Sequence, residues 1–265
     1  MVEVKTRVRG LPVFLLLAFG LAWLGMIGTW ASGFSLVNPL VQLPFAFAPA
    51  IAAFVVRRWV TGEGFADAGL RLRLRAAWPQ YLVAWLGPVL LVGATALVAV
   101  AFGARLAPLD GFGGLPGWAL VAVLLLVVPL LTPIYWGEEF GWTAYLRQRV
   151  FVGRPVAATL TTGLVWAVWH YPLAFVGYIE FEHVWWGLAV WTVSFVCQEV
   201  LLSWLRVRSA SVWPASLAHA GNNMVLSLLV GVLLADVGVT AVTVLMTVPM
   251  AVVACWVLAT GRLRP

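Results

Sequence analysis

Apolar runs of membrane-crossing length dominate this chain and leave it few folds to choose from. A helix needs about 20 such residues to traverse the hydrocarbon core of a bilayer. Runs of that kind stand at roughly Leu11–Trp30, Val37–Val56, Trp78–Phe102, Gly117–Trp136, Pro155–Gly177, Val184–Trp204, Val212–Leu234 and Val239–Thr260, with short connections between them. The expectation is an all-α fold: a polytopic membrane helical bundle of about eight transmembrane helices, forming a single integral membrane domain over residues 1–265. A soluble globule is excluded, because an interior of this size cannot hide 63% hydrophobic residues with only 10% charged.

The cations give an orientation, since Lys and Arg near span ends stay on the cytoplasmic side. An N-terminus placed inside puts Lys5, Arg7, Arg9, Arg57, Arg58, Arg71, Arg73, Arg75, Arg147, Arg149, Arg154, Arg206, Arg208, Arg262 and Arg264 on inner loops and leaves Arg105 outside, fifteen of the sixteen on one face. Both termini are then cytoplasmic in a multi-pass protein of the cell membrane. The net charge of +6 reports topology and contact with lipid headgroups, not nucleic-acid binding. The first run is too long for a signal peptide and has no small-residue cleavage site after it. Arg71-Leu-Arg-Leu-Arg75 is expected to lie along the inner surface, and Gly111, Gly113, Gly114 and Pro116 to form an outer turn. Trp30, Trp59, Trp78, Trp118, Trp185, Trp186, Trp204 and Trp213 sit near span ends, as an interfacial belt requires. Cys197 and Cys255 read as isolated buried apolar residues.

Against this background, ionisable groups inside the runs stand out, because each costs about 3 kcal/mol or more at bilayer depth and tends to face a protein interior with a function. Glu138-Glu139 follow Tyr135-Trp-Gly at the end of the fourth run. Adjacent helical residues point about 100° apart, so the two carboxylates address a cavity from its rim and take different jobs. The alternative is a solvated interfacial pair bound to Arg147 or Arg149. His170 follows Trp166 by one turn, and its plain alternative is a packing histidine bonded to a neighbouring backbone. His219 and Asn223 are four apart and share a helix face, whereas Asn222 points elsewhere. Glu199 could lend a supporting carboxylate, although pairing with Arg206 or Arg208 is the simpler reading. Glu180, Glu182 and His183 read as a solvated outer-loop cluster.

Two glutamates, an aromatic-xxx-His and a His-xxx-Asn on separate membrane helices resemble the motifs EExxxR, FxxxH and HxxxN of the CAAX protease and bacteriocin-processing family, intramembrane endopeptidases related to the Ras-converting prenyl-protein protease. The resemblance spans about Gly137 to Asn223 and lies in a motif-bearing core of about 117–234. It implies that Glu138 is the base that activates a water together with His170, with Glu139 beside it, and that His219 and Asn223 hold the oxyanion. The substrate would be a membrane protein or peptide. One position departs from the pattern: the arginine four residues after the second glutamate is Thr143 here. Glu139 is therefore expected either to share a proton with Glu138 or to bond Thr143 and a water.

No metal is firmly implied. Glu138, Glu139, His170 and His219 could supply nitrogen and oxygen ligands to Zn²⁺, but no HExxH occurs, and the resemblance implies a glutamate-driven water. A proton-coupled transporter or a non-catalytic scaffold would also place acids and histidines in the membrane, strung along a path rather than gathered on one carbonyl. Axial counting leaves the depth of the groups unmatched. Glu138 lies near the inner end of its run, His219 about 10 Å into its own, and His170 about 20 Å into the fifth. They meet only if the fifth helix protrudes or the fourth continues past Glu139 within the protein.

Overall fold

The computed structural model describes residues 10–109 and 114–264; Lys5, Arg7, Arg9, Gly111 and Gly113, which figure in the topology and turn readings above, lie outside them. All regular structure among the described residues is helical. In chain order the helices are α1 (Leu11–Ala31), α2 (Pro39–Ala46), α3 (Ala48–Val55), α4 (Trp78–Ala101), α5 (Gly117–Gly141), α6 (Pro155–His170), α7 (Val184–Ser209), α8 (Val212–Gly221), α9 (Leu228–Leu233) and α10 (Val239–Ala259). Helices α2 and α3 are one run broken at Phe47, where Pro49 supplies no N–H to continue the ladder. Wide π turns extend α3 over Val56–Val60 and join α8 to α9 over Asn222–Ser227.

Seven of these segments are long and apolar enough to cross a membrane, and the protein is a polytopic helical bundle. The fifth predicted span differs. Helix α6 ends at His170 after 16 residues, because Pro172 lacks an amide hydrogen and crowds the carbonyl four residues back; a short 3₁₀ turn, Tyr171–Ala174, follows. The fourth span differs in the other direction. Helix α5 runs on to Gly141, and the fully buried Trp142, Thr143, Ala144, Tyr145 and Leu146 carry the chain further inside the protein. This resolves the depth mismatch by the second of the two routes.

Helix α5 lies between α3 and α8, α7 lies between α6 and α10, and α4 closes against α8 and α10. Small residues permit the tightest approaches. A methyl group on Gly141 would lie 2.3 Å from Pro49 Cβ, and one on Gly137 would lie 3.0 Å from the Phe47 ring. These two glycines, one turn apart, set one face of α5 against the α2–α3 break. Helices α1 and α6 are stitched by two indoles: Trp23 donates to the Trp169 carbonyl at 3.0 Å, and Trp169 donates to the Ala18 carbonyl at 2.9 Å.

Arg57, Arg149 and Arg206 gather at one end of the bundle around the segment 61–77. Arg149 bonds Glu63 at 2.5 Å, Arg57 bonds Asp67 at 2.6 Å and the Ala144 carbonyl at 2.8 Å, and Arg206 donates to the Asp67 carbonyl at 3.0 Å. Ser211 and Trp213 at the start of α8 donate to the Arg71 and Leu70 carbonyls. The strap is thus docked through its backbone while Leu70, Leu72 and Leu74 stay exposed, the arrangement expected of a surface-lying segment. At the other end, Glu182 is not simply solvated: it accepts from Thr240 N at 3.3 Å and from the Thr240 hydroxyl, closing the first turn of α10. Cys197 is buried as expected, but Cys255 is exposed. Trp30, Trp59, Trp78, Trp118, Trp185 and Trp186 are all exposed, consistent with an interfacial belt.

Candidate active site

Glu138 and Glu139 occupy the stretch of α5 turned inward by the Gly137–Gly141 face. Glu139 is fully buried and Glu138 is 8% exposed, so they are not an interfacial pair. Arg149 is committed to Glu63 and Asp67, and Arg147 donates to Thr159 Oγ1 at 2.8 Å and to the Leu263 carbonyl at 3.3 Å. The two carboxylates diverge, as their angular offset requires. Glu138 Oε2 accepts the Trp166 indole N–H at 2.7 Å. Glu139 Oε1 lies 3.0 Å from His219 Nδ1, while its Oε2 has no partner. The Thr143 hydroxyl donates at 2.9 Å to the Glu139 backbone carbonyl.

His170 Nδ1 lies 3.0 Å from the Trp166 carbonyl oxygen. A carbonyl can only accept, so Nδ1 carries the hydrogen and Nε2 presents a lone pair. The ring is stacked on Phe195 at 4.4 Å and edged by Trp169 at 4.7 Å. Trp166 ties the site together: besides bonding Glu138 it lies 5.0 Å from the His219 ring and 5.7 Å from the His170 ring. Glu138, His170 and His219 therefore surround one indole, and Glu139 is joined to them through His219.

Asn223 is placed differently from expectation. It shares a turn with His219, but it sits on the π turn, is exposed, and its amide nitrogen donates back to the His219 carbonyl at 3.4 Å. Asn222 is the buried member of the pair. Gly221 sets this turn close to α4, since a methyl group there would lie 2.6 Å from Pro88 Cγ.

Two neighbours escaped the sequence reading, and a third was read with other partners. Tyr135, one turn before Glu138 and hence on its face, packs its ring 4.9 Å from His219; the i, i+3 spacing was the available signal. Tyr178, in the loop after α6, comes within electrostatic range of Glu138, and burial first, then that carboxylate, push its phenol above the ordinary value, so its O–H remains a donor at working pH. No spacing in the sequence announces a loop-to-helix approach. Glu199 does not pair with Arg206 or Arg208 as read; it is fully buried and accepts from Ser203 Oγ at 2.5 Å.

Among the described residues no three His, Cys, Asp or Glu side chains are grouped so as to hold a metal ion; Nδ1 of His170 is taken by a carbonyl and that of His219 by a carboxylate, which leaves Nε2 of each ring free. A cavity of about 670 Å³, lined by Phe102, Glu182, Trp186 and Leu245 at the end away from the arginines, is separate from these residues.

Residues 116–225 match the family model described as type II CAAX prenyl endopeptidase Rce1-like. None of the curated proteins matches the chain.

Proposed function

We propose, because residues 116–225 match the model of the Rce1-like CAAX prenyl endopeptidases, that the chain hydrolyses a peptide bond of a membrane protein or membrane-bound peptide with a water activated by Glu138 and His170. The observation that carries this reading is the gathering of one carboxylate and two imidazoles from α5, α6 and α8 around the Trp166 indole, with the second carboxylate bound to one of those imidazoles. A proton relay would string such groups across the bilayer instead.

In this mechanism Glu138 keeps one oxygen on Trp166 and uses the other on the water. His170 accepts the second water hydrogen at Nε2, the nitrogen left free by its backbone bond. Attack on the scissile carbonyl moves the water proton to Glu138, which then returns it to the departing amine. His219, held at Nδ1 by Glu139, turns Nε2 toward the developing oxyanion and donates to it when the Glu139–His219 pair holds two protons. Asn223, exposed on the same turn, is the second donor once a substrate carbonyl is seated. Substrate enters laterally or from the arginine-rich end.

The test is a panel of quenched membrane peptides in proteoliposomes with wild-type protein and His170→Ala, each with and without a chelator. Hydrolysis by the wild type alone, indifferent to chelator, is expected. Hydrolysis that survives His170→Ala, or that the chelator abolishes, contradicts this mechanism.

A further inference from the structure

The reaction above makes no use of the cavity of about 670 Å³ opposite the arginine-rich end, a volume within the range of about 300–1,000 Å³ that holds a small ligand. Three helix ends form it. The last turn of α4 supplies Ala99, with Phe102 just beyond; the first turn of α7 supplies Trp186; and the start of α10 supplies Thr240, Ala241 and Leu245. Trp186 and Arg206 mark opposite ends of α7, about 30 Å apart along its axis, which is the thickness of a bilayer core. The cavity therefore stands at the level of one membrane surface. Phe102 is 83% exposed and Trp186 63% exposed, an exposure that aromatic side chains take up at the lipid interface.

One polar wall interrupts the apolar lining. Glu182 and His183, just before α7, face the cavity. The hydrogen bonds from Thr240 hold the Glu182 carboxyl below its usual value, so it carries a negative charge. Gly238 has no side chain where a methyl group would collide with Glu182 Oε1, which leaves room beside that oxygen. Two further charges stand next to the lining: Asp236, one residue before Val237, and Arg105, one residue after Ala104, both exposed.

An apolar trough ending in a carboxylate and an indole suits an alkyl chain that carries an ammonium, because the carboxylate accepts from it and the ring face attracts it. An anionic headgroup would meet Glu182 and Asp236 as like charges. A trimethylated ammonium has no hydrogen to donate to Glu182, whereas a primary ammonium has three. We propose that this cavity binds one ethanolamine phospholipid from the leaflet opposite the arginine-rich end, with its ammonium between Glu182 and the Trp186 ring, its phosphate toward Arg105 and an acyl chain along Ala241 and Leu245. The bound lipid joins the ends of α4, α7 and α10, and its binding is independent of the hydrolysis proposed above.

The experiment is native mass spectrometry of the full-length protein released from detergent, with ethanolamine, choline and glycerol phospholipids of identical chains supplied in equal amounts, for wild type, Glu182→Gln and Ala241→Phe. The wild type is expected to retain one ethanolamine lipid in preference to the other two. In Glu182→Gln, whose amide oxygen still accepts from Thr240, that preference is expected to fall about fivefold, less than for a buried bond to a charged group, because Glu182 is exposed. Ala241→Phe, which fills the trough, is expected to reduce retention of all three lipids. Should Glu182→Gln fail to fold, Trp186→Leu, which removes the ring and leaves the Glu182–Thr240 contact in place, is expected to lower the same preference. Equal retention of the three lipids by the wild type, a preference for the choline or glycerol lipid, or a preference unchanged in the variant measured overturns the proposal. Displacement of the lipid by free glycerophosphoethanolamine, which would make the trough irrelevant, overturns it too, as does a lipid-free dimer in which a second copy covers the cavity.

Discussion

One indole nitrogen organises the site at the scale of single residues. Trp166 stands where the family pattern has phenylalanine; phenylalanine supplies a wall, whereas tryptophan also supplies the donor that Glu138 Oε2 accepts at 2.7 Å. Trp166→Phe keeps the ring packing with His170, His219 and Phe195 but strands a buried carboxylate oxygen. The expected loss is about 1–3 kcal/mol, seen as a thermal midpoint several degrees lower; an unchanged midpoint would show that the bond contributes nothing. At this scale the sequence was legible where rarity spoke. Acids and imidazoles are costly in a membrane helix, so Glu138, Glu139, His170 and His219 could be picked out one by one. Their partners were not legible. Glu139 took His219 as a partner, and Asn223 ended exposed on a π turn, because such choices depend on rotamers and on a local widening of the helix that spacing rules assume absent.

At the scale of elements, the glycines that flank the acids matter as much as the acids. Gly141 leaves no room for a methyl group against Pro49, so Gly141→Ala must push α5 away from α3 and drag Glu138 and Glu139 with it. Overpacking of this kind costs about 1–3 kcal/mol. The expected result is a lower yield of folded protein and a lower thermal midpoint, while Gly93→Ala, whose methyl group would meet open space, leaves both unchanged. Equal behaviour of the two variants would contradict this packing. Span positions were readable from hydropathy alone, but span ends were not. Pro172 stopped α6 at His170, and aromatic burial carried the chain beyond α5 inward past Glu139. Both effects act at helix ends, where an average over a run of residues is least informative, and together they bring Trp166 level with Glu138.

Across the whole molecule, the arginine-rich end is locked by the strap 61–77, whose acids hold Arg57 and Arg149 from two separate helical runs. Arg149→Ala leaves Glu63 and Asp67 short of a buried cation, a loss of about 3–5 kcal/mol, and chymotrypsin digestion is expected to cut the loosened strap at its leucines much faster than in Arg208→Ala, which removes an exposed arginine. Equal cleavage rates would mean that the lock is unimportant. The sequence placed these cations at one end but gave no hint that the strap folds back on them, since that closure joins segments more than eighty residues apart. The proposed reaction needs four side chains from three helices acting on one water. The most direct measurement is digestion of a membrane peptide in heavy-oxygen water, with mass analysis of the new carboxyl end, for wild type, Glu138→Gln and Glu139→Gln. Label incorporated by the wild type and by neither variant is the predicted result; cleavage without label, or label retained in Glu138→Gln, would contradict it.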